Sequence, residues 1–100
     1  MGKRSYLKVG GIIKAGPVLF NAIAIKRIGT ASEVEVIGTA DGQPFGYMIQ
    51  PGQRVEPLPG YALRIDRITE NGRIEFEAFA PFEHIHVQTK QKQARTAGVQ

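Results

Sequence analysis

A chain of 100 residues with thirteen Lys and Arg against nine Asp and Glu, and a net charge of +4, is the size of one small domain. It has no cysteine, which excludes a disulfide framework and thiol chemistry. No stretch is long and apolar enough to span a bilayer, because the nearest, residues 9–25, is interrupted by Lys14 and Pro17.

From the N-terminus, residues 1–5 are short and basic, with Lys3 and Arg4, and read as an arm. Candidate strands follow at 5–9, 11–15, 18–28, 33–38, 44–49, 53–57, 61–68, 73–80 and 84–88. Their apolar residues alternate with period two, and turn signals separate them at Gly10-Gly11, Gly16-Pro17, Asp41-Gly42, Pro51-Gly52, Pro59-Gly60 and Asn71-Gly72. Gly supplies positive φ at such corners and Pro presets the first corner of a turn. The run 18–28 lacks Gly and Pro, but Val18, Ile23, Ile25 and Ile28 are β-branched, so strand is expected there too, and no helix is expected anywhere. Residues 89–100 contain one large apolar residue, Val99, with Lys90, Lys92 and Arg95, and read as a second basic arm. The expectation is an all-β single domain over 1–100. Its core would span about 6–88, in one β-sandwich or jelly-roll-like barrel of about eight or nine strands.

The last two strands carry the most detailed expectation. Ile74, Phe76 and Ala78 alternate with Arg73, Glu75 and Glu77, the chain turns at Ala80-Pro81-Phe82-Glu83, and Ile85 and Val87 alternate with His84 and His86. Paired as a hairpin, Phe76 would face Val87 and Ala78 would face Ile85, with Glu77 opposite His86 and Phe79 opposite His84 on the outside. Ile68 falls on the wrong parity from Leu63 and Ile65, which predicts a bulge near Arg67. Glu77, His84 and His86 would then form a surface cluster in which the carboxylate helps His86 hold its proton, a pH-sensitive group. Two histidines with Glu77 beside them are metal-ligand types, but they are the chain's only histidines and no fourth ligand is evident, so no metal is expected.

Charge is segregated along the chain. Residues 1–32 carry six cations and no acid, all nine acids lie between Glu33 and Glu83 with four arginines among them, and the last thirteen residues carry three cations. The basic ends are suited either to a polyanion or to the acidic middle of a neighbouring copy, and the second is favoured because the arms lack interleaved aromatic residues. Lys3, Arg4, Lys90, Lys92 and Arg95 are the candidate assembly contacts. The only serines, Ser5 and Ser32, lie outside any nucleophile-elbow pattern, and there is no phosphate loop or dinucleotide fingerprint. A protein without enzymatic activity or cofactor is expected. The N-terminus has no uninterrupted apolar run leading to a small-residue cleavage site, which points to a soluble intracellular product, or a part of a particle assembled inside a cell, with no membrane partner.

Within residues 18–79, Ile23 to Ile28 is followed by Gly29-Thr30-Ala31, then Val34-Glu35-Val36, Asp41-Gly42 and Phe45-Gly46-Tyr47-Met48-Ile49-Gln50-Pro51-Gly52-Gln53. Leu58, Gly60-Tyr61-Ala62-Leu63-Arg64-Ile65 and Ile74-Glu75-Phe76-Glu77 come next. This stretch resembles the small β-sandwich proteins of tailed-bacteriophage virions, while the Asn usual in their first turn is absent. The resemblance implies a capsid-decoration, head- or tail-joining or fibre-base protein of the virion, assembled in the host cytoplasm. Its partners would be copies of itself and other virion proteins, bound through edge strands and basic arms. Residues 71–87, with Ile74, Phe76, Ala78 and Ala80-Pro81 followed by Ile85 and Val87, also resemble the end of the carbon-storage-regulator RNA-binding proteins, where an alternating strand ends in Ala-Pro and returns along a short strand. That likeness implies a small translational regulator that binds RNA, although the arginine with which the family contacts RNA is Gln88 here.

Overall fold

Period-two alternation is expressed as nine β-strands among the described residues, which are 2–82 and 84–89 in this computed structural model. They are β1 (Gly2–Leu7), β2 (Ile12–Ala15), β3 (Val18–Ile28), β4 (Ala31–Ala40), β5 (Gln43–Ile49), β6 (Arg54–Leu58), β7 (Tyr61–Ile68), β8 (Ile74–Phe79) and β9 (Ile85–Gln88). The chain lays down β1, crosses to a second sheet for the meander β2 to β5, returns for β6 to β8, and crosses again for β9. The result is a four-stranded sheet ordered β1-β8-β7-β6 over a five-stranded sheet ordered β5-β4-β3-β2-β9, every pair antiparallel. The fold is an all-β sandwich.

The inward positions of both sheets form one core. Leu7, Leu63, Ile65, Ile74, Phe76 and Ala78 come from the four-stranded sheet, and Ile13, Val18, Phe20, Val34, Val36, Ile49 and Ile85 from the five-stranded one. Each side chain of Val size or larger buried this way stabilises the fold by roughly 1.5–3 kcal/mol. Two bulges keep the apolar parity inward. One lies between Ala22 and Ala24, which turns Ile23 out and lets Ile25 pack against the core. The other, between Ile65 and Arg67, is the bulge predicted near Arg67. Asp41 at φ 52° and Gly42 at φ 81° form the two-residue turn that closes β4 on β5 at Ala40 and Gln43.

Two expectations are corrected. β8 and β9 do not form a hairpin: β8 lies between β1 and β7, and β9 pairs with β2. Phe76, Ala78 and Ile85 are buried all the same, because each strand turns these residues into the core that the two sheets share. Alternation identifies the buried face of a strand but not its neighbour. The strand return on which the RNA-regulator resemblance drew is therefore not a hairpin here. Gly2 to Ser5 is also not an arm, since these residues pair with Phe79 to Phe76 as part of β1. Their charged side chains stay exposed while the backbone completes the ladder, a combination that composition does not distinguish from a solvated tail. In the second predicted arm, Thr89 is fixed through its carbonyl, which accepts the Lys8 N–H at 2.7 Å; Lys90, Lys92 and Arg95 lie outside the described residues.

Candidate assembly surface

The outer face of the four-stranded sheet is a ladder of arginines and carboxylates. Cross-strand register sets Arg4 beside Glu77, Glu77 beside Arg64, and Arg64 beside Arg54. Glu77 Oε1 accepts from Arg64 Nη2 at 2.7 Å and from Arg4 Nε at 3.3 Å, and Arg64 Nε donates to Asp66 Oδ1 at 2.8 Å. Hydrogen bonds to Asp66 first and Glu77 second raise the Arg64 pKa above its ordinary value, so this guanidinium stays cationic. Arg67 pairs with Glu75 and Arg54 with Glu56. The Arg73 guanidinium lies 3.9 Å from the centre of the Tyr6 ring, and those of Arg54 and Arg64 lie 5.2 and 5.8 Å from that of Phe79.

Four acids of the middle segment are thus already paired with arginines of their own sheet. The outer face of this sheet is therefore a mixed-charge ladder and not an acidic patch. Replacing Glu77 with Ala should leave Arg4 and Arg64 facing each other across β8 without their shared carboxylate. The expected result is a small loss of stability at low ionic strength that shrinks as salt is added, measured by urea unfolding across a salt series.

The sequence-predicted residues are not gathered at one place. Lys3 donates through Nζ to the Ile85 carbonyl at 3.1 Å, and Arg4 is held by Glu77, so both already have partners within the chain. Glu77 belongs to the outer face of one sheet, whereas His86 lies opposite Lys14 on the other. The expected Glu77–His86 pair is therefore corrected, for the same reason as the hairpin. His84 and His86 do lie together, with ring centres 6.2 Å apart. No group of three or more metal-ligating side chains occurs among the described residues.

The feature missed by sequence reasoning is the outer face of the five-stranded sheet. An antiparallel sheet with one face in water ordinarily shows polar side chains there. Here the outward rows run Lys14, Leu19, Thr39, Pro44 and Ile12, Asn21, Ile37, Gly46, with Glu35 beside Met48 in the next. Ile37 is 42% exposed, Met48 41% and the bulged Ile23 39%, and Ile12 and Leu19 are half-buried around them. Adjacent apolar residues carried the signal: Ile12-Ile13, Leu19-Phe20, Val36-Ile37 and Met48-Ile49 each place one apolar side chain on either face of a strand. At opposite ends of the molecule Ile28, at the β3–β4 tip, and Phe82, in the crossover to β9, are 67% and 94% exposed. No protein-family model, curated protein or solved structure matches this chain.

Proposed function

We propose that this protein is a non-enzymatic structural component of a tailed-bacteriophage virion, a decoration, joining or fibre-base protein that works by protein–protein contact. The observation that carries the reading is the apolar outer face built from Ile12, Leu19, Ile37 and Met48. Apolar side chains grouped on one sheet face are what an interaction surface presents and what a free domain keeps few of. The sandwich fold and the sequence resemblance over residues 18–79 point the same way. Copies of the protein and other virion proteins are its partners in this reading, and the host cytoplasm is where it assembles.

The test is incorporation into particles. Leu19→Lys and Ile37→Lys place charge on the face without touching the core, so both variants should fold with normal circular dichroism yet enter purified particles at least tenfold less, as quantified by mass spectrometry. Wild-type occupancy by both variants would sink the role of this face, and absence of the unaltered protein from particles would sink the reading itself. Truncation after Thr89 removes Lys90, Lys92 and Arg95 but keeps the Lys8–Thr89 hydrogen bond, so the fold should persist and incorporation should fall. Removing residues 1–5, by contrast, deletes most of β1 and should destabilise the sheet. RNA binding by the intact protein that weakens steeply with salt would favour the regulator reading instead.

A further inference from the structure

Each sheet of the sandwich has two edges, and three of the four are closed or blunted. β1 and β9 lie at the same side of the molecule, where the Lys8 N–H reaches the Thr89 carbonyl and the Lys3 ammonium reaches that of Ile85. β6 is five residues long, contains Pro57 and breaks register against β7. Among the described residues β5 is the open edge: seven residues in unbroken register with β4.

The turn at Asp41-Gly42 determines which backbone groups of β5 are free. A two-residue hairpin makes Ala40 and Gln43 the pair that exchanges both hydrogen bonds, and every second pair does the same: Gly38 with Phe45, Val36 with Tyr47, Val34 with Ile49. Pro44, Gly46 and Met48 therefore point their backbone groups away from β4. Pro44, with no N–H to satisfy, occupies one of these outward positions, as an edge proline should. The N–H groups of Gly46 and Met48 and the carbonyls of all three have no backbone partner among the described residues and are available to another strand.

Gly46 has no internal explanation. Its φ is not positive, no bulge lies at its position, and among the described residues a Cβ built there would meet only Ile37 Cγ2, at 3.7 Å, an ordinary contact. Glycine inside a strand costs conformational entropy and leaves an empty place on the pleat, and it often marks close approach by another group. The empty place lies beside the exposed Ile37. Two residues on, Met48 projects from the same face as an unbranched, adaptable side chain.

We propose that two copies of the protein pair edge to edge through β5, antiparallel and centred on Tyr47, so that Gly46 of each lies opposite Met48 of the other. Gly46 and Met48 then exchange backbone hydrogen bonds in both directions, twice by symmetry. Each Met48 side chain fills the notch at the other copy's Gly46 and packs on Ile37. The two five-stranded sheets become one continuous sheet, and the apolar faces join across the two-fold axis. The inference rests on the assembly reading above and names its first partner, a second copy of this chain.

The test is light scattering across a concentration series, with amide exchange of the same samples. The wild-type protein should double its mass as concentration rises, and the Gly46 and Met48 amides should slow at least tenfold over the same range. Gly46→Val, which fills the notch, and Met48→Pro, which removes an outward N–H, should each weaken dimerisation at least tenfold. Amide exchange of the wild-type protein decides the matter if either variant fails to fold. A wild-type protein that stays monomeric at all concentrations would overturn the proposal. So would a multimer that both variants leave intact, or one that protects a segment other than 44–48, although that last result would leave assembly through Leu19 and Ile37 standing. Protection of this edge only when another virion protein is added would identify a foreign strand as its occupant and also overturn the self-pairing. A β5 dimer that never enters particles would remove the virion reading and leave the pairing intact.

Discussion

Phe20→Ala should lower the unfolding free energy by about 3–5 kcal/mol, enough to threaten folding at physiological temperature. Phe20 lies in β3, the middle strand of the five-stranded sheet, and is among the largest fully buried side chains. Truncation leaves a cavity lined by a core that both sheets share and that relaxes only in part. It also removes the edge-on contact with Phe45, whose ring centre is 5.6 Å away, and that contact adds about 0.5–1.5 kcal/mol to the loss expected from area alone. A domain of this size has only about 5–15 kcal/mol in total. Urea unfolding should show the midpoint falling with little change in slope. Phe82→Ala is the internal control. Phe82 is 94% exposed, so its removal should change stability by no more than about 0.5 kcal/mol. Equal effects from the two substitutions would mean that the burial pattern assigned to the sandwich is wrong.

The strands of this molecule were legible because turn chemistry and alternation agree along nearly the whole chain. Asp41-Gly42 and Gly60 sit at corners with positive φ, where the sequence placed turns, and the parity break at Ile68 marked a bulge that β7 contains. Partner choice was not legible. Gly2 to Leu7 and Ile85 to Gln88 are short strands whose neighbours lie far away in sequence, and alternation gives the face of a strand without saying which sheet it joins. For that reason alternation sets Glu77 against His86, whereas its partners are Arg4 and Arg64. Arg4, from the basic N-terminal segment, returns to the acid-bearing sheet face and shares Glu77 with Arg64 there. The apolar outer face was readable in principle from adjacent apolar pairs such as Val36-Ile37, but such a pair looks like ordinary core until the inward residue of each is known.

Two glycines in adjacent strands separate what the fold needs from what its surface does. Gly38 lies in β4 between Phe20 of β3 and Phe45 of β5, and the two rings meet over it. A Cβ at this position would collide with the Leu19 carbonyl oxygen and come within 2.9 Å of both the Leu19 carbonyl carbon and Phe45 Cζ. The ring could turn aside, but the carbonyl is part of the β3 backbone and cannot move without opening the central pair of the sheet. Gly38→Ala is therefore expected to cost about 3 kcal/mol, the upper end for overpacking. Combining it with Phe45→Leu should not recover the loss, because the backbone clash remains. Gly46→Ala, eight residues away, meets only Ile37 at ordinary contact distance and should leave the stability of the monomer unchanged or slightly improved. Thermal or urea unfolding at a concentration too low for association measures both. A tolerated Gly38→Ala would show that β3 and β4 have more freedom than their register implies. A damaging Gly46→Ala would give that glycine a structural role and remove the reason for seeking its explanation in a second copy.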